Sequence, residues 1–407
     1  MVYSNNYKPI NGYIIIGAML CYLFITQTLG PQLWHIPSVL TAQFFLFIIY
    51  YIYTYNTQYK LFTKNKCESL ILIIGCTAIF IRYANGNTTN VIFYFITIYI
   101  LPIIVLLTLK YTPIKYKKHI KTILYTFYII ECLLAIFERI IQHSFFPFAD
   151  LENFAEYQAI HQAGSEFRSC SLLGNPLTNA LIVMTMYPFL LFDLKKKWHI
   201  ASLLILTLLG LSSFNARGAT LIFFFVSGVY YFYRFILHGK RKTLHFIILV
   251  LLVLLILIGF SQTEMAGRLF HGEKVIDASA QSRLAIFSQL DSLTFMDYIF
   301  GSPSKTTLFS ENGLINFIIL NGLPFLIFYL YTYIKIIKYH LHKYPMVEKV
   351  LIFISSFGVA AMNPNFTNNN YIIFLIFGLT IFPYFKTQDY GTRIRHHSII
   401  QQRRRYK

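Results

Sequence analysis

The sequence predicts an all-α integral membrane protein with about 12 transmembrane helices. Hydrophobic residues make up 56% of the 407 positions and charged residues only 13%, which leaves too little polar surface to cover a water-soluble globule. The apolar residues are also gathered in runs close to the roughly 20 residues that one helical crossing needs. We therefore predict that the whole chain, 1–407, is one polytopic membrane domain.

The candidate spans are apolar runs that lack the regular alternation of a half-buried strand. The first run has no convincing small-residue cleavage site and many spans follow it, so we interpret it as a retained helix and not as a signal peptide. In chain order the twelve runs are 10–29, 36–54, 69–83, 91–109, 122–141, 174–193, 199–214, 218–236, 243–261, 311–333, 348–362 and 370–385.

Short clusters of basic residues lie between alternate spans and predict the orientation of the chain. They occupy 60–66, 110–121, 195–197, 234–242 and 335–349, and a basic tail covers 386–407. The positive-inside rule places all of them in the cytoplasm, which puts both termini there as well. The net charge of +19 is thus distributed as topology signals and does not form the basic stripe of a nucleic-acid-binding protein.

The predicted outer face differs from the cytoplasmic face in its choice of cation. The cytoplasmic side holds 20 Lys and 7 Arg, whereas the outer side holds 2 Lys and 6 Arg. A guanidinium group binds phosphate through two parallel hydrogen bonds, so the bias favours a phosphate-bearing ligand outside. The alternative is that the outer arginines pair with acidic residues in the same loops.

Two outer loops are long, one covering about 142–173 and the other about 262–310. Loops of this length without low complexity are usually functional. The pattern at 281–290 indicates a short amphipathic helix lying on the membrane.

The chain contains no metal-ligand spacing and no glycine-rich phosphate loop, so we expect neither a metal nor another cofactor. By this topology Cys170 is the one cysteine exposed to the oxidising side, so we expect no internal disulfide there.

Five residues in and beside these loops are candidates for a functional site. Arg168 precedes a helix start at Asn175-Pro176, where Asn175 could cap the helix and the proline fits the first turn. Arg168 could form a composite anion site with this helix start, or it anchors to lipid headgroups. Arg217 lies in a short turn near the membrane boundary, where an unpartnered arginine is unfavourable. Arg283 stands at the start of the amphipathic stretch, and Glu311 and Asn312 open the tenth span, where ordinary helix capping is the alternative explanation.

These motifs resemble those of the O-antigen ligase and Wzy-type polysaccharide polymerase superfamily of multispan bacterial glycosyltransferases. The resemblance covers about 165–335. The sequence NARGA at 215–219 is similar to the family's polar-Arg-Gly-Ala turn, and Ser282-Arg283 is similar to its Ser-Arg pair before a helix. Glu311-Asn312 followed by GLP at 322–324 resembles its loop exit.

The resemblance implies a metal-independent polymerase that joins polyprenyl-diphosphate-linked oligosaccharide repeats at the outer face of the bacterial cytoplasmic membrane, in capsule, exopolysaccharide or O-antigen synthesis. Arg168, Arg217, Arg283 and Asn312 would bind the diphosphate and Glu311 would serve the acceptor hydroxyl. Membrane lipids, a flippase and a chain-length regulator are the implied partners.

One departure from the family pattern bears on the acceptor. Lipopolysaccharide ligases typically carry His directly before the Asn of the loop exit, where this chain has Glu311, and the difference favours a polymerase over a lipid-core ligase. A ligase acting on another acceptor and a transporter or flippase remain the rival interpretations. A transporter would be expected to keep ionisable residues near mid-bilayer, and here we count Glu131 as the one acid clearly inside a span.

Overall fold

The computed structural model describes residues 112–145, 167–237, 293–302, 312–362 and 371–385, together with Phe366 and scattered residues before 110. These residues form helices and turns, with no strand among them. The spans predicted at 10–29, 36–54 and 243–261, and most of those at 69–83 and 91–109, lie outside the described residues.

Four helices form the first described bundle. The helices are α1 (Ile114–Ile141), α2 (Pro176–Asp193), α3 (Lys197–Ser213) and α4 (Arg217–Tyr231), and α4 continues as a π-helix over Phe232–Leu237. The last three, with the π-helical extension counted as part of α4, begin and end within two residues of the predicted runs at 174–193, 199–214 and 218–236. Hydrophobic run length therefore predicts these helices well, because the thickness of the bilayer determines how many apolar residues each one needs.

Helix α1 begins eight residues before the predicted run at 122–141, so the loop predicted at 110–121 is wrong from Ile114 onwards. Two lysines of this stretch have partners on other helices, which favours their inclusion in α1. The ammonium group of Lys117 lies 3.4 Å from the ring centroid of Tyr384. Lys121 Nζ lies 2.7 Å from the Asp193 carboxylate at the end of α2.

The second group of helices contains a sharp bend that the sequence prediction missed. It consists of α5 (Phe295–Phe300), α6 (Gly313–Asn321) and α7 (Leu323–His340). The run predicted as one span at 311–333 is divided at Gly322, where α6 and α7 meet at 117°. Gly322 has φ of +84°, a value that glycine adopts without the strain of a Cβ atom.

The last helices are α8 (Met346–Phe353), a π-helical stretch over Ile354–Gly358, α9 (Val359–Met362) and α10 (Tyr371–Phe385). Helix α2 lies at the centre of the packing. Of the residues in its 18-residue apolar stretch 89% are buried, against 39% in the corresponding stretch of α1. The Phe189 ring of α2 packs on Phe382 of α10 at a centroid distance of 5.7 Å.

Within the described residues, three helices are long and apolar enough to cross a membrane, α1, α2 and α4 with its π-helical extension, or four if the bent pair α6 and α7 forms one broken span. This supports an all-helical membrane protein. The predicted total of about 12 spans concerns residues beyond those described.

Candidate functional site

The described helices place their basic residues at two opposite ends of the bundle. Lys121 at the start of α1 pairs with Asp193 at the end of α2, and Arg234 near the end of α4 donates to the carbonyl of Leu194. We call this the lysine end, because every described lysine lies there: Lys115, Lys117, Lys118, Lys121, Lys195, Lys196, Lys197, Lys335, Lys338, Lys343 and Lys349.

The opposite end of the bundle carries arginine. We call it the arginine end, and its described basic residues are Arg139, Arg168 and Arg217 together with His143. The preference for arginine on one side, which the sequence suggested for the outer face, therefore corresponds to one physical end of the described bundle. Both Arg168 and Arg217 are half-buried there.

The segment 167–175 enters α2 at the arginine end and lies on α1. Ser169 Oγ donates to the carbonyl of Ala135 at 2.5 Å, and Ser171 Oγ donates to the carbonyl of Glu131 at 2.9 Å. Ser171 has φ of +46°, a conformation that few non-glycine residues adopt. Asn179 of α2 donates its amide to the carbonyl of Cys170. The segment is thus hydrogen-bonded to two helices.

Glu138, in the last turn of α1, is the main polar contact of this segment. Its Oε2 accepts hydrogen bonds from the backbone N–H groups of Cys170 at 2.9 Å and Ser171 at 2.8 Å. Its Oε1 accepts from the N–H of Phe145 at 2.8 Å. The side chain is fully buried, and hydrogen bonds to a buried carboxylate are among the stronger ones in proteins.

A second set of contacts joins the two segments that carry the candidate arginines. The Ser169 N–H donates to the carbonyl of Ser213 at 3.0 Å, at the end of α3. A turn at 214–216 follows, in which Asn215 has φ of +52°, and Arg217 is the first residue of α4. Arg168 and Arg217 are therefore carried by two backbone segments that are hydrogen-bonded to each other. Arg139 also donates to the carbonyl of Phe167.

The start of α2 is capped by its own side chain. Asn175 Oδ1 accepts from the N–H groups of Leu177 at 2.9 Å and Thr178 at 3.2 Å, and Pro176 occupies the first turn. The sequence prediction of an Asn cap followed by a first-turn proline is confirmed. Those two N–H groups are thus occupied by the cap, so the composite anion site envisaged with Arg168 cannot use them in this conformation.

Asn312 also has a capping role. Its Oδ1 accepts from the N–H groups of Leu314 at 3.1 Å and Ile315 at 3.3 Å, at the start of α6. Any part of Asn312 in binding a diphosphate therefore falls to its Nδ2 amide, which is a hydrogen-bond donor. Glu311 and Arg283 lie outside the described residues.

Helix α9 packs against two helices that carry candidate residues. These are α6, which Asn312 caps, and α4, which begins at Arg217. A Cβ atom at Gly218, next to Arg217, would lie 3.0 Å from the sulfur of Met362 at the end of α9. Three of the five candidate residues thus belong to described segments that share direct neighbours.

Two buried acids in α1 differ sharply in their surroundings. Glu131 and Glu138 are both fully buried, so the interpretation of Glu131 as the one acid inside a span is wrong. Neither carboxyl oxygen of Glu131 has a hydrogen-bond partner among the described residues, whereas Glu138 has three. The Ser171 side chain and the Leu172 backbone lie close enough to interact with the Glu131 carboxyl group.

Glu138 is the functional candidate that the sequence analysis missed. The signal in the sequence was a pair of acids seven residues apart within one apolar run, which puts both on about the same face of a helix. Its partners are backbone N–H groups, which carry no residue-type signature.

The described residues contain no group of three or more His, Cys, Asp or Glu side chains positioned to hold a metal ion. The described cysteines Cys76, Cys132 and Cys170 are free thiols. Burial, with a smaller effect of the Glu138 carboxylate, raises the pKa of the Cys170 thiol to about 12.

Comparison of the chain with known proteins gave no match to any family model, to any curated protein or to any solved structure.

Proposed function

We propose that this protein is a polysaccharide polymerase that joins polyprenyl-diphosphate-linked oligosaccharide repeats at the outer face of a bacterial cytoplasmic membrane. One observation carries the proposal beyond the sequence motifs. The hydrogen bond from Ser169 to Ser213 joins the segments of Arg168 and Arg217 at the end of the bundle opposite the lysines. Two arginines on joined segments suit a ligand with two phosphate groups.

In the proposed reaction the growing glycan leaves its lipid diphosphate and moves to a hydroxyl of the next lipid-linked repeat. The bond between the anomeric carbon and the diphosphate oxygen breaks, and the electron pair stays on the polyprenyl diphosphate. The acceptor oxygen forms the new glycosidic bond, and its proton passes to the carboxylate of Glu311. Charge therefore increases on the leaving diphosphate as the reaction proceeds.

Arg168, Arg217 and Arg283 would neutralise that charge, a task that preorganised cations perform well at a site shielded from water. The half-buried positions of Arg168 and Arg217 support this role. A cation at the membrane boundary is favoured when it has an anionic partner or a wet cavity, and a diphosphate supplies the partner. Asn312 would add an amide donor beside them.

The proposal is tested by reconstituting the purified protein with polyprenyl-diphosphate-linked repeats as the only sugar source and separating the products on a gel. The parent should give a ladder of glycan lengths. Arg217→Lys keeps the charge but loses the two-pronged hydrogen bonding, so we expect the rate to fall by about tenfold or more. Arg283→Ala should abolish the ladder.

Arg234→Lys is the matched control, because Arg234 lies near the other end of the same helix and its contacts are Leu194 and Tyr230. It should retain the parental ladder. Unchanged substrate with folded parent protein would overturn the polymerase assignment. A single transfer to an added acceptor, without a ladder, would indicate a ligase, and movement of intact substrate between leaflets would indicate a flippase.

A further inference from the structure

We infer that Glu138 is a positioning residue that closes the base of the first outer loop and thereby holds Arg168 next to Arg217. The predicted loop covers 142–173, and Glu138 contacts both of its ends. Phe145 lies near the start of the loop, and Cys170 and Ser171 lie near its end. Residues 146–166 between them lie outside the described residues.

The contacts of Glu138 exceed what a helix end requires. A carboxylate near the C-terminus of a helix faces the negative end of the helix dipole, which is an unfavourable position for it. Here the three N–H groups offset that disadvantage, and two of them come from a segment more than thirty residues away along the chain. The carboxylate is thus better explained by the segment that it holds than by the helix that carries it.

The held segment leads directly to Arg168. Ser169, which follows Arg168, donates its N–H to Ser213 and its hydroxyl to Ala135. Cys170 and Ser171 follow Ser169 directly in the chain. We therefore expect the Ser169 bonds to keep their geometry only while Cys170 and Ser171 stay hydrogen-bonded to Glu138. Loss of the Glu138 carboxylate should therefore displace Arg168 from the turn that precedes Arg217.

The amide of Glu138→Gln is nearly the same size as the carboxylate but presents a donor in place of one acceptor oxygen. At least one of the three N–H groups then faces another donor, which is unfavourable. Glu131→Gln is the comparison within the same helix, since Glu131 is equally buried and lies near Ser171 and Leu172 but accepts none of the three N–H groups that Glu138 accepts.

Cys170 reports the state of the segment without any activity assay. Its thiol is 1% exposed in the structure, and thiolate is the form that reacts with maleimide. Intact cells are treated with a membrane-impermeant maleimide, and labelling of the purified protein is measured. We expect slow labelling of the parent and of Glu131→Gln, and at least about tenfold faster labelling of Glu138→Gln, a change of about 1.4 kcal/mol in the exposure equilibrium. Cys170→Ser in the Glu138→Gln background should remove this signal.

Glu138→Asp is examined in parallel and keeps the experiment decisive if the glutamine variant fails to reach the membrane. Its carboxylate is shorter by one methylene group, so we expect labelling between that of the parent and that of Glu138→Gln. Labelling of folded Glu138 variants at the parental rate would overturn the inference.

The kinetic consequence rests on the proposed function. In the reconstituted reaction, Glu138→Gln should raise KM for the lipid-linked repeat by about tenfold, and the increase should disappear when Arg168 is already replaced by alanine. Such non-additivity identifies coupling between the two residues, whereas additive effects would reduce Glu138 to a general stabilising role. Faster Cys170 labelling with no polymerisation by the parent would retain the loop-closing role of Glu138 and reject the polymerase.

Discussion

Pro188 lies inside α2 and has no N–H group to donate to the carbonyl of Met184 one turn earlier. In the membrane interior an unsatisfied carbonyl has no water to bind. Ser355 lies in the π-helical stretch Ile354–Gly358 that follows α8, and it donates its hydroxyl to that carbonyl. A proline in one helix is thus matched by a serine far away in the sequence.

Replacing Ser355 by alanine should therefore lower the free energy of unfolding by about 1–3 kcal/mol, because the Met184 carbonyl loses its donor while it stays buried. Thermal unfolding of the purified protein in detergent measures the change. Ser356→Ala is the control, since Ser356 is equally buried but donates to Ile352 within its own helix at 3.0 Å. Equal effects of the two substitutions would contradict the special role of Ser355.

Helices α5, α6 and α7 meet at two glycines. Gly301 ends α5 with φ of +78°, and Gly322 separates α6 from α7 with φ of +84°. A Cβ atom at Gly322 would lie 2.1 Å from the carbonyl oxygen of Ile299. The N–H of Ser302 donates to Ile319 at 2.6 Å, which joins the end of α5 to α6. The bend of 117° depends on this close backbone contact.

Gly322→Ala should be strongly destabilising, by about 2 kcal/mol or more, since the new methyl group requires both an unfavourable φ and displacement of backbone. Gly228→Ala is a suitable comparison, because a Cβ atom there meets no atom of the described residues within 4 Å, and alanine favours a helix over glycine. We expect it to be neutral or stabilising in the same unfolding measurement. A tolerated Gly322→Ala would show that α5 and α6 can separate at little cost.

In the described bundle all lysines lie at one end and three of the four arginines lie at the other. This distribution predicts how the bundle is oriented in the membrane. Lys117, Lys121 and Arg234 gather at one end, and Tyr344 there has its pKa raised by burial and by the carboxylates of Glu348 and Asp193. The positive-inside rule predicts that this end faces the cytoplasm. The arginine end then faces outward, as the proposed reaction requires.

This orientation predicts the accessibility of cysteines introduced at two exposed positions, His143 at the arginine end and Lys196 at the lysine end. In intact cells an impermeant maleimide should label His143→Cys, whereas Lys196→Cys should react only after the membrane is made permeable. The parent protein gives the background from native cysteines. Labelling in the reverse pattern would invert the topology and remove the basis for an outer-face reaction.

The sequence by itself determined the helical membrane class in the described region and the positions of most of its helices, because the length of each apolar run follows from bilayer thickness. The capping of α2 by Asn175 was also predictable, since cap and first-turn proline are local in sequence. The occurrence of Arg168 and Arg217 at one end followed from the two predicted membrane spans that lie between them in the sequence. Each of these features depends on local sequence or on the order of the spans along the chain.

Only the tertiary structure decided the features that depend on contacts between distant residues. The role of Glu138 depends on backbone N–H groups, which every residue except proline carries and which no sequence pattern distinguishes. The start of α1 at Ile114 depends on partners for Lys117 and Lys121 in α10 and α2. The bend at Gly322 depends on the backbone of α5. Local sequence determines which segments become helices, but the pairing of buried polar groups between helices determines how those helices hold a site.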